Sequence, residues 1–214
     1  MLNLHVVLAI DRAGLVGDDG PTHHGVFDVG FLRQIPGMQI LCPVSFAEQQ
    51  DMLRWAVEKA NGPVAIRYPR GTEGSYTASD WNGGEKTLKC HRKGKDITIL
   101  TYGSMLENAM AAAEILAQDG IEATVLRLMD VSDLSRQDIL EHLSENKNMV
   151  VLEEVSAGCG VRDAISILLQ GECHVSGIDL GAEFVPHGSV NKLYELCGLD
   201  AQSVVNHIRE VLGR

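Results

Sequence analysis

The residues best suited to do chemistry are gathered in one stretch, residues 11–28 (DRAGLVGDDGPTHHGVFD). His23 can carry a proton near neutral pH. Asp19, four residues upstream, comes within reach if the stretch folds back, and would then orient an imidazole or bind a substrate hydroxyl. Arg12 brings a permanent positive charge suited to a carboxylate or a phosphate. Arg67 and Arg70 form a second basic pair. If the segments that precede Arg12 and Arg70 lie side by side, those two guanidiniums converge on one anion. Gly14, Gly17, Gly20 and Gly25 let the backbone bend sharply and approach a ligand closely. Plainer readings compete for the same residues. A histidine in a Gly-rich loop is often a surface or structural residue, and His24 beside it points the other way in extended chain. An arginine that ends a strand is often an ion-pair partner or a snorkelling group. The residues alone therefore describe a phosphate- or carboxylate-binding protein with one candidate acid/base and no named reaction.

Positioning these groups requires strands immediately before them. Residues 4–10 (LHVVLAI) read as a buried, central parallel strand that delivers Arg12 at its C-terminal end, where open α/β sheets place their ligands. Leu15, Val16, Val26 and Phe27 are the apolar anchors of the long loop that follows. A short helix over 28–35 and a strand over 38–42 come next. Ser45 is expected to cap a helix over 46–60, with Glu48 as its capping-box partner. Phe46, Met52, Leu53, Ala56 and Val57 form that helix's apolar face. Asn61-Gly62-Pro63 ends it, and a strand over 64–68 leads to Arg70. Residues 71–85 are dominated by Gly, Ser, Thr, Asn and Asp and read as a linker. Beyond it, strands over 87–91 and 96–101 are expected to form a hairpin whose basic edge (Lys86, Lys89, Arg92, Lys93, Lys95) is solvated. Helices over 105–118, 135–143 and 161–170 then alternate with strands over 122–128, 148–153 and 173–179. Two helices, 189–197 and 201–212, finish the chain. This alternation predicts a mainly parallel sheet with helices on both faces. Tyr102-Gly103-Ser104 and Gly158-Cys159-Gly160 each precede a helix, and would either hold an anion or serve as cap connectors.

The 214 residues carry 18 Lys+Arg against 29 Asp+Glu, a net charge of −11. So acidic a chain is poorly matched to nucleic acid or to an anionic membrane surface, and neither is expected as a partner. No apolar run approaches the ~18 residues of a spanning helix, and the opening MLNLHVVLAI lacks the basic flank of a signal peptide. Cys42, Cys90, Cys159, Cys173 and Cys197 show no metal-ligand spacing, so no metal site is expected; most read as buried thiols in a reducing cytoplasm. Residues 1–75 are nearly balanced in charge, whereas residues 76–214 carry 12 basic and 21 acidic residues, which favours two domains.

The run AIDRAGLVGDDGPTHHGVFD, followed by FLRQIPGMQILCP and GPVAIRYPRG, resembles the 1-deoxy-D-xylulose-5-phosphate synthase family, thiamine-diphosphate enzymes of the transketolase superfamily. The resemblance runs without a gap over residues 4–71. ITILTYGSM, VVLEEVSAGCG, FVPHGS and LCGLD carry it through residues 92–214. EEVSAGCG and MDVSDLS depart from the family pattern, and both departures are expected to affect surface detail only. The resemblance implies an α/β fold in three parts: the rear of a pyrimidine-binding domain in 1–75, a linker with a first hairpin strand in 76–91, and a transketolase C-terminal-like domain with a mainly parallel sheet in 92–214. It implies condensation of pyruvate with D-glyceraldehyde 3-phosphate, with loss of carbon dioxide, to give 1-deoxy-D-xylulose 5-phosphate, a precursor of isoprenoids, thiamine and pyridoxal. By the same resemblance, His23 contacts the reacting intermediate, Asp19 helps bind intermediate and acceptor, and Arg12 and Arg70 hold the acceptor phosphate. Thiamine diphosphate and Mg2+ are the implied cofactors of the complete enzyme. Their main binding elements, a GDG…N motif and the glutamate that activates the aminopyrimidine ring, do not occur in this sequence. The chain is therefore expected to be the C-terminal third of a cytoplasmic homodimeric enzyme, inactive without the N-terminal part. Two other readings stand beside this one. One is a subunit of a split, two-chain enzyme like transketolase or a 2-oxoacid dehydrogenase; the other is a non-catalytic interaction remnant.

Overall fold

Short apolar, β-branched runs alternate with helices and build two sheets. The computed structural model describes residues 4–214; the first three residues of the opening run and of the expected domain 1–75 lie outside the described residues. The first sheet contains β1 (Val7–Ile10), β2 (Gln39–Leu41) and β3 (Val64–Arg67) in the order β1-β3-β2, all parallel. All four residues of β3 are buried, whereas Ala9 of β1 is exposed and Leu4 and Val6 before it face solvent. The expectation of a buried central strand over 4–10 is thus corrected. Among the described residues only β3 of this sheet has hydrogen-bonded partners on both sides, and the apolar run of β1 pairs on one side alone.

Helix α1 (Asp28–Leu32) and helix α2 (Phe46–Glu58) link these strands. Ser45 caps α2 as expected, its Oγ accepting from the Glu48 amide at 3.1 Å. The other half of the capping box is not formed: the Glu48 carboxylate accepts instead from the Val44 amide at 2.9 Å and turns toward the second sheet. Met52 and Ala56 are buried on the inner face of α2, while Phe46, Leu53 and Val57 are exposed. The apolar stripe read from the sequence is wider than the surface this sheet can cover.

The second sheet contains β4 (Leu88–Arg92), β5 (Ile97–Tyr102), β6 (Ala123–Leu128), β7 (Asn148–Leu152) and β8 (His174–Ile178) in the order β4-β6-β5-β7-β8. Helices α3 (Met105–Gln118), α4 (Arg136–His142), α5 (Arg162–Leu168), α6 (Val190–Cys197) and α7 (Ala201–Val211) complete the unit. All pairings are parallel except β4 with β6. β4 and β5 therefore do not form the expected hairpin, because β6 lies between them. The fully buried β5 takes an interior position, and the mixed, Lys-bearing β4 is suited to the edge.

The two sheets share a core. Ile40, Cys42 and Ala65 of the first pack with Leu100, Leu126, Met149 and Val151 of the second. Backbone bonds from the Cys42 amide to the Met129 carbonyl (2.9 Å) and from the Val131 amide to the Ile40 carbonyl (3.0 Å) stitch the sheets together. Asp130 in the MDVSDLS segment is buried, accepting from the amides of Ile40 and Ser132, so this departure from the family pattern lies in the junction and not at the surface. Residues 71–85 also differ from a free linker: they form a docked strap. Tyr76 packs on the core of the second unit, and Trp81 meets Trp55 edge-on with centroids 5.3 Å apart. Of the five free thiols only Cys42 is fully buried; the other four are half-buried, fewer than the composition suggested. Among the described residues no helix is long and apolar enough to cross a membrane.

One buried ion pair ties α2 to β6. Arg127 donates from both terminal nitrogens to Glu48 (2.7 and 2.9 Å), with neither side chain exposed, and adds a bond to Asp80 of the strap at 3.1 Å. His91 Nε2 accepts from the Arg127 Nε (3.1 Å), and burial together with the Arg127 charge pushes its pKa down to about 4, so it stays neutral. Removing one partner of such a pair strands a buried charge at a cost of about 3–5 kcal/mol. Glu48→Ala is accordingly expected to lower the unfolding free energy in denaturant titration by about that amount. A loss under about 1 kcal/mol would show that the pair does not hold the two units together.

Candidate functional site

The long loop leaves β1 at Asp11 and folds back on itself. Amides and carbonyls of Gly14 and Gly25 exchange hydrogen bonds (2.8 and 2.9 Å), and the Gly25 amide also donates to the Arg12 carbonyl at 3.0 Å. The approach is so close that a Cβ at Gly25 would lie 2.2 Å from the Arg12 oxygen. A turn of helix at Gly17–Asp19 and a bond from the His23 amide to the Gly20 carbonyl shape the tip. Leu15, Val16 and Val26 are buried anchors as expected, and Leu15 and Val26 insert into the core of the second unit. Phe27 is not an anchor: it is exposed and meets the exposed Phe184 edge-on.

Residues of the second unit hold this loop in place. The Leu15 amide donates to the Glu154 carboxylate at 2.6 Å. Ser104 Oγ (2.8 Å) and Tyr194 Oη (3.1 Å) donate to the same carboxylate. Gly14, at φ +76°, leaves the room this requires, since a Cβ there would lie 2.2 Å from the Glu154 carboxyl carbon. Glu154 is 3% exposed. Burial raises its pKa, opposed by the bonds from Leu15 and Ser104, by the Arg67 charge and by Tyr194. Its neighbour Glu153 accepts from the amides of Val161 (2.8 Å) and Arg162 (3.2 Å), so the anion position ahead of α5 is filled by the chain's own side chain. Val155, the departing residue that follows these two glutamates in the EEVSAGCG segment, is fully buried, so the expectation that this departure from the family pattern affects only the surface is corrected.

The structure brings three of the four sequence-derived site residues into contact. β1 and β3 are neighbours, with Ile10 opposite Arg67, so Arg12 and Arg70 emerge side by side. Asp19 pairs with Arg70 and lies 4.0 Å from the Arg12 Nε. The Arg70 hydrogen bond holds the Asp19 carboxyl below its ordinary value of 3.8, with Coulombic help from Arg70, His23 and Arg12. Arg12 adopts φ +58°, a left-handed conformation that costs a non-glycine residue roughly 1–2 kcal/mol. Its Nη1 bonds Asp11 at 2.7 Å, while its Nε is buried without a hydrogen-bond partner among the described residues. His23 is exposed, its Nδ1 3.0 Å from Thr22 Oγ1, and makes no direct bond to Asp19.

Two sequence candidates have structural work. Arg67 is 4% exposed; it donates to Asp28 at 2.8 Å and to the Gly25 carbonyl at 3.0 Å, fastening the base of the loop. His24 is buried, its Nδ1 accepting from the Val16 amide at 3.1 Å. Sequence reasoning missed Glu154 and Tyr194. A signal for the first was present, since two adjacent carboxylates directly follow the buried strand NMVVL.

The whole is a two-unit α/β protein with mainly parallel sheets and a paired-arginine site at the C-terminal ends of β1 and β3. Family patterns match both units: "Transketolase, pyrimidine binding domain" over residues 2–73 and "Transketolase, C-terminal domain" over residues 86–204. The chain belongs to the transketolase family. It is 41% identical over 96% of its length to the 1-deoxy-D-xylulose-5-phosphate synthase of Heliobacterium modesticaldum, and 38% identical over 97% to that of Chlorobium luteolum. It spans 32% and 34% of those two relatives, about a third of their length. Among solved structures it is similar to "Split gene transketolase, inactive beta4 tetramer", with a TM-score of 0.83 and 27% identity, covering 99% of this chain and 68% of that one. A transketolase mutant from Pichia stipitis shares the fold (TM-score 0.78, 19% identity), covering 99% of this chain and 30% of that one.

Two titrations follow from the geometry. The Asp19 carboxyl is expected to titrate below 3.8 in a carbon-detected NMR experiment, and Arg70→Ala to move it upward; an unchanged value in the variant would mean that Arg70 is not its partner in solution. Glu154 holds its proton more tightly in the folded chain. Its contribution to stability is therefore full below the ordinary value of 4.5 and is lost as pH rises through the raised folded value. Glu154→Gln should flatten the stability profile in that window, and an identical slope in the variant would contradict the assignment.

Proposed function

We propose that the chain is the C-terminal third of a 1-deoxy-D-xylulose-5-phosphate synthase, comprising the rear of the pyrimidine-binding domain (1–75), a docked connecting segment that runs into the edge strand β4 (76–91) and the C-terminal domain (92–214). The reaction is condensation of pyruvate with D-glyceraldehyde 3-phosphate, giving 1-deoxy-D-xylulose 5-phosphate and carbon dioxide. The observation that carries this reading is the convergence of Arg12, Asp19 and Arg70 on one point beside the His23 loop. Two guanidiniums on a rigid sheet end suit a phosphate dianion. The acceptor phosphate would share Arg70 with Asp19 or displace it from Arg70. Asp19, kept ionised, accepts from an acceptor hydroxyl. His23, exposed at the loop tip, moves the proton at the new alcohol.

Among the described residues no group of three or more His, Cys, Asp or Glu side chains is arranged to hold a metal ion. The residues present do not fit a Mg2+-bound diphosphate. In the complete enzyme thiamine diphosphate supplies the decarboxylation and carbon–carbon bond-forming chemistry. On this reading the N-terminal part holds it with Mg2+, the complete enzyme is a cytoplasmic homodimer, and the chain alone is inactive.

A second reading, a subunit of a split two-chain enzyme, is favoured by one observation. The split-gene transketolase chain corresponds to nearly all of this one, and its structure is described as an inactive tetramer of β chains.

The test is product formation from pyruvate and glyceraldehyde 3-phosphate with thiamine diphosphate and Mg2+, with and without the N-terminal part of a related synthase. Product is expected only with the added part, and His23→Ala is expected to lower the rate by about 10²–10⁴-fold. Turnover by the chain alone, or an unaffected His23→Ala variant, would overturn the reading.

A further inference from the structure

The loop carries two adjacent histidines, and the proposed chemistry uses only one. His23 is exposed, whereas His24 is buried and its ring bridges two parts of the fold. The His24 Nδ1 accepts from the Val16 amide, eight residues earlier, at 3.1 Å. Its Nε2 lies 3.4 Å from the Pro186 carbonyl, in the chain that leads into α6. The loop tip rests on that same stretch. The Gly17 carbonyl accepts from the Gly188 amide at 3.4 Å, and a Cβ at Gly20 would lie 3.3 Å from that of His187.

Within the tip the backbone makes short-range bonds, from the Gly20 amide to the Gly17 carbonyl (3.1 Å) and from the His23 amide to the Gly20 carbonyl (3.0 Å). Two kinds of side-chain contact add to them: the pairing of Asp19 with Arg70 and Arg12, and the His24 ring. The ion pairs are exposed to solvent, where such pairs hold little. The His24 contact is buried.

The Val16 donor fixes the protonation state of the ring. An amide N–H directed at Nδ1 requires a lone pair there, so the neutral imidazole carries its proton on Nε2, facing Pro186. A second proton would have to go on Nδ1, against the Val16 N–H. Among the described residues the hydrogen-bond partners of the ring are that amide and the Pro186 carbonyl, and no carboxylate pairs with it. The charged and titratable groups on the elements around it are Arg12, Asp18, Asp19 and His23 on the loop itself, and Glu183 and His187 on the chain leading into α6. Arg67 and Glu154 grip the loop at Gly25 and Leu15, with Tyr194 of α6 on Glu154.

We infer that His24 is a proton-sensitive latch that positions the loop tip, closed on Val16 while the imidazole is neutral and opened when Nδ1 takes up a proton. Closed, it sets where Asp19 and His23 stand. Open, it leaves the tip to its exposed ion pairs. The latch therefore holds at higher pH and is lost as pH falls through the titration of His24. Its bearing on turnover rests on the proposed function. Exchange and ring tautomer are read on the chain itself, so either can fail without the other.

The experiment is amide hydrogen exchange of the full chain, expressed as protection relative to free-peptide rates, together with nitrogen NMR of the His24 ring. At about pH 8 the proton should sit on Nε2 and the Val16 amide should be protected. At about pH 5.5 the protection of the Val16, Gly20 and His23 amides should fall at least about fivefold, the worth of one net hydrogen bond, while β5 amides keep theirs. His24→Asn keeps a carbonyl acceptor near the Nδ1 position and removes the titration, so its Val16 protection should no longer depend on pH. His24→Phe, a ring without an acceptor, should leave Val16 poorly protected at both pH values. A neutral ring protonated on Nδ1, or equal Val16 protection at the two pH values in the wild type, would overturn the inference. A fall that persists in His24→Asn would overturn it too, because the titrating group would then be another, such as Glu154 or His187.

Discussion

The site depends on one carboxylate that belongs to the opposite unit. Glu154 lies at the end of β7, yet its oxygens accept from the Leu15 amide in the loop after β1 and from Ser104 and Tyr194 of its own unit. A buried carboxylate carries a large desolvation cost that only hydrogen bonds and nearby positive charge offset. Here the offset comes from three donors and from Arg67, whose guanidinium also reaches the Glu154 carbonyl at 3.4 Å. The cost of leaving that carboxylate unpaired is what fixes the loop's entry. Gly14 is needed because no Cβ fits beside it.

From that anchor the rest of the loop follows. Arg67 grips the Gly25 carbonyl at the far end while Glu154 grips Leu15 at the near end, and the strand-like bonds between Gly14 and Gly25 close the base. With both ends held, Arg12 is kept in a left-handed conformation that an isolated segment would avoid, and backbone strain of this kind tends to gather at functional sites. The tip carrying Asp19 and His23 stays exposed, as a group that must meet a ligand requires. Rigid base and accessible tip are what a positioning loop needs. The Glu48–Arg127 pair and the core shared between the sheets keep the two units in the register that this arrangement demands.

Much of this was legible in the sequence because it is local. The helix over 105–118 matches α3 in full, since its apolar spacing and the Asp119-Gly120 stop are both short-range signals. The convergence of Arg12 and Arg70 needed only the rule that parallel neighbours deliver their loops to one end of the sheet. What was not legible depends on partners distant in the chain. The order β4-β6-β5 places a strand from later in the chain between β4 and β5, and so the expected hairpin is absent. Glu48 reads as half of a capping box until Arg127, 79 residues away, claims its carboxylate. Arg67 and Arg70 are chemically alike in the sequence. Asp28 and the Gly25 carbonyl engage one in burial, while the other remains at the surface. Glu154 followed an apolar strand as a bare carboxylate, and only the junction shows what it accepts from.

The most direct test of this account is amide hydrogen exchange resolved at Leu15, in the wild-type chain and in Glu154→Ala. The account predicts a slow Leu15 amide in the wild type. Alanine should speed it by at least about fivefold, the worth of one net hydrogen bond, along with the Gly14 and Gly25 amides, while amides of β5 and β6 stay unchanged. A Leu15 amide equally slow in both proteins would contradict it, because the loop would then be held by something other than the Glu154 carboxylate.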